Sequence, residues 1–342
     1  RGRFRCGAGT KNLHSPIGAR NTSPTLCFVP MAEAWPSDMV EQYDPIRSFE
    51  ATVARSPSRP AVRVGGRTLT YVQLNGWADA IAARIVLSGQ GGRRISFVAR
   101  KEASSYAAIL AILKAGGSYV PLPEEGPPSR WASMVEQAGI QAMVGPDRLD
   151  GLEVIPISEE VGTPGVGLYS KEAYVLFTSG STGGPKGVSV SRSNVAAYIS
   201  HQLATYDFNE TDRFSQFFAL TFDLSVHDMF LCWSVGACLC VPSSADMLRA
   251  VAFARDEGIT VWFSVPSLVM LMQRTRVLGP GALPALRLAF FCGEPLHWAV
   301  VRSFSEAAPA ARLINLYGPT EATIALTAYE VRPGEPGEEG VV

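Results

Sequence analysis

Residues 174–191 read YVLFTSGSTGGPKGVSVS: an apolar run breaks into ten residues made almost wholly of Gly, Ser, Thr, Pro and Lys, and an alternating run follows. A linker would sit in polar sequence. This segment instead follows AYVLF, a buried-strand pattern, and leads through GVSVSRSNVAAYIS into a strand and then a helix. With both ends anchored, backbone amides freed by Gly180, Gly183 and Gly184 can converge on anionic oxygens, and the hydroxyls of Thr178, Ser179, Ser181 and Thr182 can add donors. Lys186 supplies a point charge, and Pro185 fixes the backbone just before it. The pattern G-x-x-x-x-G-K-[ST] of a Walker loop occurs nowhere in the chain. Composition alone leaves two readings open, a phosphate cradle and a mobile surface loop.

Working outward, strand-like runs alternate with helical patterns. Before the loop come ISFVA (95–99), a helix over 102–114, SYVPL (118–122), a helix over 129–138 and IQAMV (140–144). After it come RFSQFF (213–218), ACLCV (237–241), ITVWFSV (259–265), LRLAFF (286–291) and RLINLY (312–317), separated by helical segments. That rhythm predicts an α/β fold with mostly parallel sheets layered with helices. GTPGVG (162–167) is the clearest internal punctuation and a candidate border between two layers.

The 342 residues are 47% hydrophobic, enough for a large core, and 30 basic against 31 acidic residues give a net charge of −1. No global field recruits nucleic acid or an anionic membrane. The most apolar segment, 229–241, is short and broken by Gly236, so no membrane span is expected. None of the six cysteines forms a C-x-x-C pair, which predicts reduced thiols and a cytoplasmic protein. Cys238 and Cys240 fall on one strand face as core fillers. Residues 1–44 carry Arg1, Arg3, Arg5, Lys11 and Arg20 with no acid before Glu33, and read as a basic, disordered extension ahead of a domain over 45–342. A transit peptide fits that composition; translated sequence upstream of Met31 is the favoured reading.

The opening segment also resembles, almost letter for letter, the signature loop of the adenylate-forming (AMP-binding) enzymes. Four further stretches resemble the amino-acid-activating branch, in order: LTYVQL (69–74), with Gln73 where Glu is usual, LKAGGSYVPLP (113–123), FDLSVHD (222–228) and NLYGPTEATI (315–324). The resemblance implies joining a carboxylate to the α-phosphate of ATP, expelling pyrophosphate, and passing the acyl group to a thiol. It implies that the loop from Thr178 to Lys186 holds the β- and γ-phosphates, that Thr182 and Glu321 flank Mg²⁺, and that Lys186, Thr182 and Glu321 serve catalysis. Tyr317 would stack on adenine, Asn315 would read its amino edge, Gly293, Glu294 and Pro295 would line its other side, and Gly318 and Thr320 complete the nucleotide set.

Asp223 points to the substrate class. In amino-acid-activating members this aspartate pairs with the substrate ammonium, and a buried carboxylate without a cation is costly. A plain helix cap is the alternative. The resemblance places the side-chain pocket at Leu224, His227, Phe263, Phe290, Cys292, Leu316, Ile324 and Ala325, small and mostly apolar. Phe290 and Cys292, two apart on a strand, share a face from which Phe291 points away. FFCGEPL resembles most closely the stand-alone D-alanine ligases that load a carrier protein, with proline-loading ligases as competitors. The family's smaller C-terminal domain is expected beyond GEPGEEGVV, so the chain reads as a fragment. The expected partners are a small amino acid and an acyl or peptidyl carrier protein, with neither nucleic acid nor a membrane. The other readings are an acyl-CoA ligase of the same superfamily and an inactive ATP-binding fragment.

Overall fold

The computed structural model describes residues 27–28, 43–157, 169–179, 184–332 and 340–342, and these build two β-sheets joined by one large core. The strands are β1 (Cys27–Phe28), β2 (Pro60–Val64), β3 (Arg67–Thr70), β4 (Arg94–Ala99), β5 (Ser118–Pro123), β6 (Ala142–Val144), β7 (Glu153–Ile155), β8 (Glu172–Ser179), β9 (Pro185–Ser191), β10 (Arg213–Ser215), β11 (Cys238–Val241), β12 (Val261–Ser264), β13 (Leu288–Phe291), β14 (Arg312–Tyr317) and β15 (Thr327–Glu330). The helices are α1 (Pro45–Arg55), α2 (Tyr71–Leu87), α3 (Ala103–Lys114), α4 (Pro128–Ala138), α5 (Arg192–Thr205), α6 (Leu224–Val235), α7 (Ser244–Leu248), α8 (Ala250–Asp256), α9 (Pro266–Arg274) and α10 (Trp298–Ala307).

One sheet runs β7-β6-β4-β5-β8-β9 and the other β1-β15-β14-β13-β12-β10-β11-β2-β3. Pairs β4/β5, β4/β6, β10/β11, β12/β13 and β13/β14 are parallel, as the alternating pattern predicts, whereas β8/β9, β14/β15 and β2/β3 are antiparallel. The segment 162–167 lies outside the described residues. Strands on both sides of it belong to the same sheet, so it does not divide the layers as expected from its glycines. The chain changes sheets after α2 and again after α5 instead.

Local chemistry explains the boundaries. Thr70 caps α2 through its hydroxyl while the Gln73 side chain reaches back to the Thr70 amide, so Gln73 closes a capping box as Glu would. Ser191 caps α5 by accepting from the Asn194 amide. Gly139, at φ +64, ends α4 in a left-handed turn in which the Ile140 amide still bonds back to Val135, so the strand in IQAMV begins only after Ile140 and runs over Ala142–Val144. In LKAGGSYVPLP the glycine at 117 is steric: a Cβ there would lie 2.5 Å from the Arg93 carbonyl oxygen. The buried Arg192 guanidinium donates to the carbonyls of Leu113 (2.6 Å) and Gly117 (3.0 Å), tying α5 to that turn.

The two faces of the larger sheet feed different cores. Phe290 and Cys292 enter the large core shared with the six-stranded sheet, while Phe291 enters a second cluster with Trp262 and Phe304. Cys238 and Cys240 both join that second cluster and Leu239 the first, following the strand period of two.

Candidate active site

Parallel strands β12, β13 and β14 end side by side at Ser264, Phe291 and Tyr317, the edge at which open α/β sheets bind ligands. The residues that follow them therefore lie along one rim. After β13 come Gly293, Glu294 and Pro295, all exposed. The Glu294 carboxylate accepts from the amide and the hydroxyl of Ser267, both at 2.9 Å, and so joins the N-terminus of α9 to the rim. At the end of β14 the Tyr317 side chain is 70% exposed, and Asn315 donates through Nδ2 to the Val342 carbonyl at 3.1 Å. Gly318 leaves no space for a side chain, since a Cβ would meet Ala325 Cα at 2.6 Å and Leu326 N at 2.8 Å.

Across from this rim stands the β8–β9 hairpin. Thr178 pairs with Lys186 and Ser179 with Pro185, so both ends of the glycine-rich loop belong to the sheet. Gly184 is exposed beside it; Gly180, Ser181, Thr182 and Gly183 lie outside the described residues. Lys186 Nζ reaches Glu321 Oε1 at 3.4 Å, from 135 positions away. Glu321 lies in a short 3-10 turn, Thr320–Ala322, and its carboxyl is held below the usual range, first by its own backbone amide and then by Lys186.

Below the rim the character changes. Asp223 stands at the start of α6, yet its side chain makes no capping bond; it accepts from the Ile324 amide at 3.2 Å. Burial pushes this carboxyl above the usual range, and among the described residues no cation counters it. Thr323 and Ile324 have φ of +65 and +70. A β-branched residue in the left-handed region is strained by about 1–2 kcal/mol, and here the strain turns the Ile324 amide onto Asp223. Asn194 Nδ2 holds the same turn by donating to Thr323 Oγ1 at 3.3 Å.

His227 lies one helical turn past Asp223 on the same face. Its Nδ1 is 2.7 Å from the Tyr198 hydroxyl, and its ring packs against Phe263 (4.5 Å between centroids) and Phe290 (5.1 Å), which are partners across β12 and β13. Burial pushes the imidazole down to about 3, so it is neutral. Burial also lifts the Cys292 thiol to about 12. Leu224, Leu316, Ile324 and Ala325 are buried in the same core. The structure thus gathers Asp223, His227, Phe263, Phe290 and Ile324, spread over a hundred positions, in one place.

The AMP-binding enzyme family matches the chain over residues 49–169 and 166–341. The chain belongs to that family. A similar relative, the L-proline–(L-prolyl-carrier protein) ligase of Streptomyces coelicolor, is 33% identical over 327 residues, covering 84% of this chain and 61% of the ligase. The FR901469 synthetase of Dothideomycetidae sp. is 31% identical over 323 residues, 89% of this chain and 2% of the synthetase. Among solved structures, the Vibrio cholerae adenylation domain AlmE in complex with glycyl-adenosine-5'-phosphate superposes with a TM-score of 0.78 and 29% identity, covering 86% of this chain and 63% of that one. The chain spans less than two thirds of the length of each of these three proteins.

For this AMP-binding enzyme, sequence reading overlooked the tyrosines. Tyr119 and Tyr174, partners across β5 and β8, are fully buried with hydroxyls that have no hydrogen-bond partner among the described residues, and the Asp223 charge adds to the upward shift of both. Both sit in SYVPL and AYVLF, where a strand pattern accounts for them. Only the polar end of the ring could have signalled more, because a buried Tyr hydroxyl ordinarily finds a partner. Among the described residues no helix is long and apolar enough to cross a membrane, and Cys232, Cys238, Cys240 and Cys292 are free and buried.

Proposed function

We propose that this AMP-binding enzyme activates a small α-amino acid with ATP. The amino-acid carboxylate attacks the α-phosphorus, the aminoacyl-AMP forms as pyrophosphate leaves, and the acyl group then passes to the phosphopantetheine thiol of a carrier protein. One observation carries the reading: Asp223 is a buried carboxylate without a cationic partner among the described residues. Such a group is costly alone and is offset when a substrate ammonium arrives. A fatty or aryl acid would bring no such charge.

The nucleotide half fits the same reaction. Lys186 and Glu321 neutralise each other across the mouth of the hairpin. Triphosphate would engage Lys186 and the loop amides, which frees the Glu321 carboxylate. An oxygen donor on an open rim suits Mg²⁺, which keeps several waters and binds through one or two carboxylates and the phosphates. Glu321 would hold the ion, with Thr182 as its second protein ligand. The ion supplies charge neutralisation on the phosphates. Tyr317 offers an exposed ring for the adenine, and Gly318 the close backbone approach beside it.

The test is pyrophosphate exchange by the protein in its complete reading frame, over a panel of amino acids. Exchange that depends on one amino acid and is abolished in the Lys186→Ala, Glu321→Ala double variant is expected. Exchange driven by a fatty or aryl acid, with every amino acid silent, would replace this reading with an acyl-CoA ligase. Calorimetric nucleotide binding with no exchange at all would leave an ATP-binding module.

A further inference from the structure

Lys101 follows β4 of the six-stranded sheet, yet its ammonium bonds to the other half of the molecule. Its Nζ donates to the carbonyls of Gln216 (3.0 Å) and Phe217 (2.8 Å), and the Met247 sulfur lies 3.9 Å away. Both carbonyls belong to residues 216–223, the segment that leads from β10 to α6 and ends on Asp223. The aromatic side chains of that segment hold to their own sheet: Phe217 packs on Trp262 and Phe218 on Phe263, with ring centroids 4.4 and 4.8 Å apart. Between the segment and the six-stranded sheet the packing is open. A cavity of about 430 Å³ is lined by Ala99, Lys101 and Pro123 on one side and by Ala219, Thr221 and Ser243 on the other. The residues just ahead of Asp223 therefore border a cavity, and Lys101 reaches past it to the backbone.

A buried charge answers this lysine. Asp228, five residues along α6 from Asp223, is wholly buried, and neither of its carboxylate oxygens has a hydrogen-bond partner among the described residues. Burial pushes the Lys101 ammonium down to about 8 and the Asp228 carboxyl well above its usual range, and each charge counters the shift of the other. At neutral pH Lys101 thus keeps all three N–H donors. A carboxylate that must meet an ammonium tolerates little displacement, since an error of about 1 Å can cost about 10²-fold. Resting on the reading that Asp223 takes the α-ammonium, we infer that Lys101 is a positioning residue for amino-acid binding: its bonds to the Gln216 and Phe217 carbonyls fix the segment that carries Asp223. It acts through Asp223 and not on the ligand.

Lys101→Met keeps the apolar stem and removes the donors. In pyrophosphate exchange by the protein in its complete reading frame, its KM for the amino acid should rise about 10–100-fold while its KM for ATP stays where it was. Because Lys101→Met leaves the Asp228 charge without its counter-charge, the Lys101→Met, Asp228→Asn double variant separates position from folding. Its unfolding midpoint should return toward that of the wild type with the amino-acid KM still raised. An amino-acid KM that stays at the wild-type value, that rises together with the KM for ATP, or that recovers along with the midpoint in the double variant overturns the inference and leaves Lys101 a brace between the sheets. Wild-type protein that exchanges with no amino acid overturns the adenylation reading as well.

Discussion

The two halves of the candidate site are built from opposite materials. Around the rim Lys186, Glu321 and Tyr317 are open to water, with side-chain exposures of 65% and 51% for the ion pair. Beneath it Asp223, His227 and Cys292 are buried, and each titrates away from its ordinary value for the same leading reason, desolvation. On the proposed function, the rim would take a ligand that brings charges of its own, with flexible, solvated partners. The buried half would take a small ligand that supplies a cation for Asp223. A half that waits for its ligand's charge stores a cost in the empty protein; a half that neutralises itself stores almost none.

Asp223→Ala should show the largest effect. Removing one member of a buried charge pair typically costs about 3–5 kcal/mol, so amino-acid-dependent exchange should fall about 10²–10⁴-fold in kcat/KM. Stability should move the other way. Asp223→Asn keeps an oxygen for the Ile324 amide and removes the desolvated charge, so the unliganded variant should unfold at equal or higher denaturant concentration. Loss of stability in Asp223→Asn would mean that the carboxylate has a compensating cation in the protein itself, and the contrast between the halves would fail.

A smaller effect follows from His227. Its folded value, about 3, lies below the 6.5 of an exposed histidine, so the unfolded chain takes up a proton first as pH falls. Stability conferred by the neutral ring is fully present above about pH 6.5 and is lost progressively down to about pH 3. Between pH 7 and pH 5 this one group should cost about 2 kcal/mol. Denaturant titrations of the wild type and His227→Phe at both pH values isolate it: the gap between the two proteins should change by that amount. An unchanged gap would show that the imidazole is open to water.

Legibility in the sequence followed the same division. Alternation of strands and helices announced the α/β fold because parallel strands buried on both faces leave long apolar runs such as VWFS and LAFF. The rim residues stand in short, recognisable motifs, Gly318 in GPT and Lys186 in GPK, although what they meet, Ala325 and Glu321, lies outside those motifs. The missed border after α5 had no such local mark: residues 162–167 are rich in glycine, yet sheet membership is decided by pairing with β5, far away in the chain. Asp223 invited a capping role by position, and only the strained Ile324 amide, a hundred residues on, reveals a different partner. His227 offered least of all to sequence reading, since its chemistry depends on which nitrogen Tyr198 occupies.

The least effect belongs to the rim's own stability. An exposed ion pair gains little in high dielectric, immobilises two long side chains and is screened by salt. Glu321→Gln should accordingly leave the unfolding midpoint of the unliganded protein where it was, at low and at physiological salt, although the same substitution removes a carboxylate proposed to hold Mg²⁺. A midpoint that drops in Glu321→Gln would mean that the Lys186–Glu321 contact is shielded from solvent, with the hairpin tip closed over it before nucleotide arrives. An unmoved midpoint together with a raised magnesium requirement for exchange would separate the rim's role in ligand binding from any role in folding, which is the distinction the buried half does not permit.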